Sequence, residues 1–239
     1  APDDLPLDHR FAALARRRPE EAWALVERPE YRALLPQRGL PAGAARNLRE
    51  QPARRQEEVA SWLLPEAPDH LGALLEAFPP SERGRLFEAA TRGRDLAAVV
   101  WPSDLLPGLE RNREARRIGA LRPVREDRSR SLEFLGYRAW DEAKEELLAE
   151  TRRARPEERA PAWRLVLACA GLSGAEALGE ACGLAATRLR NEQDPVRGAA
   201  AQALAAAPPG RFPADAAGAL EAFCRDAMEA RDTSSGTWR

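Results

Sequence analysis

Isoleucine and lysine each occur once in the 239 residues, as Ile118 and Lys144, and histidine twice, as His9 and His70. The single Ile stands beside seven valines, and no stretch alternates apolar and polar side chains for long, so a β-sheet core lacks the residues that fit one. Each histidine lies near an expected helix start with no second His or Cys at ligand spacing, which leaves no metal clip and no Ser-His-Asp or Cys-His set. Cys169, Cys182 and Cys224 are odd in number and widely spaced, so they form neither a disulfide framework nor a CxxC clip and read as small core residues. The glycines are scattered, without GxGxxG or GxxxxGK, so no phosphate loop and no cofactor is expected. Membrane spans need ~20 apolar residues and secretory leaders a charged-then-apolar start; neither pattern occurs, and the expectation is a soluble, cytoplasmic protein.

Charge is balanced rather than scarce: 37 Lys and Arg stand against 38 Asp and Glu, a net charge of −1. Arginine supplies all the positive charge but that of Lys144. Scarce Lys and Ile beside abundant Ala, Arg, Leu and Pro read as the codon usage of a G- and C-rich, bacterial genome, so arginine number alone is no evidence for phosphate binding.

What the chain does have is a beat. Trp occurs at 23, 62, 101 and 140, and Pro at 41, 80, 156 and 195, both on intervals near 39. A period near forty is the signature of stacked helical pairs. The grid has gaps at Arg117-Ile118 and at Gly179, as in degenerate repeats. After the proline slots, Pro80-Ser81-Glu82-Arg83, Pro156-Glu157-Glu158-Arg159 and Asp194-Pro195-Val196-Arg197 place Pro at a helix start with acidic residues beside it. Downstream stripes are Trp163, Val166, Leu167 and Ala170, then Val196, Ala200, Ala203, Leu204 and Ala207. A second amphipathic helix precedes each slot: Leu71, Leu74, Leu75 and Phe78; Trp140, Ala143, Leu147 and Ala154; Leu178, Ala181, Cys182, Ala185 and Leu189, opened by a Ser173–Glu176 capping box. The last is Leu220, Phe223, Cys224, Ala227 and Met228, followed by Asp232 where Asp194 stands one unit earlier. The expected class is all-α.

Asp194-Pro195-Val196-Arg197, followed by Ala200, Ala203 and Leu204, resembles the second helix of a HEAT repeat, most clearly over 139–232. The resemblance implies an α-α superhelix of helical pairs, with Asp194 and Arg197 forming a ladder between neighbouring units. It implies a single array over 1–239: irregular short-helix repeats over 1–110, an Arg-rich irregular unit over 111–138 with Pro123 interrupting it, and clearer repeats over 139–239. Prolines 29, 36, 41, 65, 68, 79, 102 and 107 are expected to cut the early helices short. The start at Ala1 and the end just after Asp232 lead to the expectation of a fragment of a longer protein.

Charge is densest over Arg111–Arg130, with a second cluster one unit later. Arg113, Arg116, Arg117, Arg152, Arg153 and Arg159 are the candidate binding residues, a positive stripe if helix B faces line a concave surface. The alternative is a solvated, salt-bridged face. The functional expectation is a non-enzymatic scaffold for a protein partner, without metal or membrane contact. Nucleic-acid binding through the Arg-rich middle is the second reading. DNA-glycosylase chemistry, known in some HEAT-like arrays, is the third, with Trp101, Trp140, Asp141 and Arg117 supplying the residue types.

Overall fold

The structure is a computed structural model that describes residues 7–35, 39–41, 43–63, 68–98 and 103–230, the side chains of 7–10, 68 and 103 excepted. Fifteen α-helices and no strand occur among the described residues, as the shortage of β-branched side chains predicts. They form two compact units, Ala1–Glu110 and Arg111–Arg239.

The first unit contains α1 (Leu7–Arg17), α2 (Pro19–Val26), α3 (Pro29–Arg32), α4 (Ala44–Leu48), α5 (Ala53–Leu63), α6 (Pro68–Ala77) and α7 (Pro80–Thr91). Its prolines open helices rather than cut them: Pro19, Pro29, Pro68 and Pro80 each take a first position, where a missing N–H costs nothing. Helix α5 packs on α7, and α6 bridges them. Phe11 and Trp23 meet edge to face at 5.4 Å in the core between α1 and α2. Gly39 has φ of +72°, and a Cβ there would lie 2.7 Å from the His70 ring, so that turn needs glycine on both counts.

In the second unit α8 (Gly108–Gly119), whose first turn contains the boundary, is followed by α9 (Arg122–Glu126), α10 (Arg128–Gly136), α11 (Trp140–Glu150), α12 (Pro156–Ser173), α13 (Ala175–Arg188), α14 (Asp194–Ala206) and α15 (Ala217–Glu229). Pro123 does not interrupt a helix; it sits in the first turn of α9. Helices α10, α12 and α14 pack side by side, α13 packs on α15, and α12 lies against α11 and α13, while Trp140 and Lys144 of α11 reach Glu180 of α13. The core between them is Trp163, Val166, Leu167, Ala170, Leu178, Cys182, Val196 and Ala200 with Phe223. Burying such stripes stabilises by about 1.5–3 kcal/mol for each large apolar side chain.

Three sequence expectations need correction. Ser173 ends α12, and its Oγ accepts from the Trp140 N–H at 3.1 Å; Gly174 precedes α13 and no capping box forms. Ala154 lies exposed in the turn after α11, and Cys224 and Met228 face solvent on α15. The even Trp spacing does not mark equivalent sites. Trp23 is mid-helix and donates to Asn47 at 2.8 Å, Trp62 ends α5 under the Arg32 guanidinium at 4.6 Å, and Trp140 opens α11. Trp101 and Asp232 lie outside the described residues, as do Pro36, Pro65 and Pro102.

A different periodic feature is built into the fold. The fourth residue of α5, α7, α12 and α14 folds a side-chain donor back over the preceding turn to the carbonyl five residues earlier. Gln56 reaches Gln51 O at 2.9 Å, Arg83 reaches Phe78 O at 3.0 Å, Arg159 reaches Ala154 O at 2.8 Å, and Arg197 reaches Glu192 O. Carbonyls at the end of a helix or turn lack an in-helix donor, and a planar donor from the next helix satisfies one while pinning the turn.

Candidate functional site

The densest run of arginines, on α8, is paired with near neighbours, three guanidinium groups against two carboxylates. Glu114 is buried between Arg113 and Arg117, whose Nε atoms lie 3.2 and 2.7 Å from it. Arg116 donates from Nε to Glu142 of α11 at 2.8 Å, and Asn112 adds 2.9 Å to the same carboxylate. The Arg116 and Asn112 hydrogen bonds hold the Glu142 carboxyl below the usual range. All three candidates here therefore have carboxylate partners.

The second cluster is arranged differently. Helix α11 ends at Glu150, and Thr151 is buried with its hydroxyl donating to Leu148 O at 2.8 Å. The chain turns through Arg152 and Arg153, and an extended Arg155 leads into Pro156, which restarts it as α12. That short turn leaves Arg152 and Arg153 exposed beside the next pair's turn, between α13 and α14. Arg159 fixes the spacing of the two turns. It donates to Arg153 O at 3.0 Å and Ala154 O at 2.8 Å in its own turn, and grips both Glu192 oxygens of the next at 2.9 and 2.8 Å. The Glu192 hydrogen bonds raise the Arg159 pKa above its ordinary value, so it stays charged.

Between these turns lies a cleft of about 450 Å³, lined by Thr151, Arg152, Arg153, Arg159, Trp163, Arg188 and Glu192. Trp163 is 1% exposed and lies beneath the cleft as part of the core. Arg153 pairs with Glu150 through two 3.0 Å bonds. Hydrogen bonds from Arg153 and from Arg128 hold the Glu150 carboxyl below the usual range, against its partial burial. Arg152 and Arg188 are exposed, and neither side chain has an ion pair or hydrogen bond among the described residues. Arg188 closes the last turn of α13, where a cation also suits the helix dipole.

Of the six candidate arginines, Arg152, Arg153 and Arg159 thus share one cleft, and Arg113, Arg116 and Arg117 lie elsewhere on α8. Arg159 alone is on a helix B, and it occupies the helix's first turn rather than a broad face. Asp194 and Arg197 meet within one unit at 3.7 Å, and Arg197 is 3% exposed. The link between neighbouring turns runs from Arg159 to Glu192.

Of the residues considered for base excision, Trp101 lies outside the described residues. Trp140 is buried and its Nε1 donates to Glu180 at 2.8 Å, and Arg117 is engaged with Glu114. Burial pushes the Cys169 thiol up to about 12, which keeps it protonated. No group of three or more His, Cys, Asp or Glu stands close enough to hold a metal ion among the described residues. No helix among the described residues is long and apolar enough to cross a membrane.

Sequence reasoning missed Arg188, Glu192 and Trp163 as members of this site. Arg188 and Arg152 lie 36 positions apart, close to one repeat, and each sits near the end of a first helix; that register was the available signal. Compared with protein-family models, with curated proteins and with solved structures, the chain matches none.

Proposed function

We propose that the chain is a non-enzymatic helical-repeat module that recognises a protein partner through an anionic segment seated in the Arg152–Arg188 cleft. One observation carries this reading: four guanidinium groups converge on a single cleft, and two of them have no carboxylate of their own among the described residues. The lining offers charge but no nucleophile paired to a base, which suits binding rather than turnover. The side-by-side packing of α12 with α14 and α13 with α15 supports the HEAT-like repeat reading, and with it a superhelical array.

A duplex or single strand of nucleic acid is better served by a continuous basic stripe, and here Glu114, Glu142, Glu150 and Glu192 interrupt the arginines. Affinity capture from lysate tests the proposal. Immobilised wild type is expected to retain a protein that the Arg152→Glu/Arg188→Glu variant loses and the Arg113→Glu/Arg117→Glu variant keeps. Partners retained equally by all three would overturn it, and capture abolished by nuclease would transfer the site to nucleic acid.

A further inference from the structure

We infer that the cleft takes a phosphate monoester carried on the partner polypeptide. This rests on the proposed function and names its ligand. The lining residues bring four positive charges and the Glu192 carboxylate; Glu150, bonded to Arg153, removes a second. The balance is two positive charges, and they fall on the two side chains without a partner, Arg152 and Arg188. A phosphorylated side chain carries about −1.5 to −2 charges near pH 7 and three strong acceptor oxygens, which matches that balance. A single carboxylate leaves one guanidinium uncompensated.

The donor geometry points the same way. Guanidinium groups present planar pairs of N–H donors that suit phosphate oxygens. Arg152 stands on the α11–α12 turn and Arg188 at the end of α13, so they approach from two helical pairs held in register by the Arg159–Glu192 pair. The cleft has room for a phosphorylated side chain and the atoms flanking it. Glu192 and Glu150 also narrow the choice. They repel an extended polyanion that would run beyond the two free arginines, so one compact dianion is preferred over a track of phosphodiesters.

The test uses fluorescence anisotropy with three labelled nonapeptides of Gly and Ala, centred on phosphothreonine, threonine or glutamate, and a labelled 12-nucleotide single strand. The phosphothreonine peptide is expected to bind at least about tenfold more tightly than the glutamate peptide, and the threonine peptide not at all, because the phosphate brings a second negative charge to the second free guanidinium. Arg188→Glu and Arg152→Glu are each expected to weaken phosphopeptide binding by about tenfold or more, with Arg117→Glu unchanged. Circular dichroism of each variant checks that it is folded, and Arg188→Gln, which removes charge without reversing it, is expected to fall in between. Equal affinity for the phosphothreonine and glutamate peptides, stronger binding of the oligonucleotide, or no binding of any probe would overturn the inference. Phosphatase treatment of the lysate before capture separates it from the broader proposal. Capture lost on dephosphorylation supports both. Capture that survives dephosphorylation but is lost in Arg152→Glu/Arg188→Glu keeps the recognition module and removes the phosphate.

Discussion

Helix α8 and the turn after α11 carry arginines at similar density, and the two regions use them in opposite ways. On α8 Arg113 and Arg117 share Glu114 and Arg116 lies against Glu142, so each guanidinium has a carboxylate partner within the fold. At the turn, Arg153 and Arg159 are engaged with Glu150 and Glu192 while Arg152 and Arg188 are not. The number of arginines in a segment therefore says little about its surface potential. What decides it is where the glutamates of the neighbouring helical pair fall, 26 to 33 residues away in the chain for Arg116–Glu142 and Arg159–Glu192.

Substitutions graded by burial sharpen this contrast. The largest effect is expected at Trp163, where truncation to Ala removes a fully buried ring and should cost about 3–5 kcal/mol in a urea unfolding series. Arg197→Ala comes next. Its guanidinium is buried and holds the Glu192 carbonyl, so about 2–3 kcal/mol is expected, as for hydrogen bonds to charged groups. Loss below about 0.5 kcal/mol would mean that the turn-capping donor is dispensable, and would break the account of the repeating fourth position. Arg116→Ala, on α8, should leave the same midpoint nearly unmoved, because exposed ion pairs contribute little.

Two glycines of α13 give an oppositely signed pair. A Cβ on Gly179 would lie 2.9 Å from Pro213 Cγ, so Gly179→Ala must displace the turn before α15 and should destabilise by about 1–3 kcal/mol. Gly183 has nothing within 4 Å of that position, so Gly183→Ala should stabilise by up to about 1 kcal/mol through helix propensity. Matching thermal unfolding scans decide the signs.

Acid titration gives the smallest effect. The folded-state pKa of Glu150 is lowered by Arg153 and Arg128, so its stabilisation is complete above the ordinary carboxylate value near ~4.3 and is lost as pH falls through the lowered one. Glu150→Gln should therefore be less stable than wild type at pH 7 and indistinguishable from it near pH 2, in parallel urea series. A difference that persists in acid would assign the effect to packing instead of charge.

Much of the helical plan was legible in the sequence. The apolar stripes of α6, α12, α13 and α14 locate their buried faces, and Pro80, Pro156 and Pro195 mark helix starts because that is where proline is tolerated. The matching slots of Arg83, Arg159 and Arg197 also hold, each at the fourth helical position, with Gln56 an unrecognised fourth member. The tryptophan rhythm misled because even spacing along the chain is not even spacing along a helix when the connecting turns differ in length. Ser173 misled because a hydroxyl that could cap its own helix instead accepts from α11. The cleft was half legible: Arg152, Arg153 and Arg159 are sequence neighbours, whereas Arg188 and Glu192 reach it only through the packing of α13 beside α11 and α12.

The most direct test of the free-charge claim is a titration of inorganic phosphate followed by the arginine Nε–Hε resonances of the whole chain in heteronuclear NMR. The account predicts saturable shifts at Arg152 and Arg188, smaller ones at Arg153 and Arg159, and none at Arg113, Arg116 and Arg117. Shifts largest on α8, or uniform across all the arginines, would contradict it.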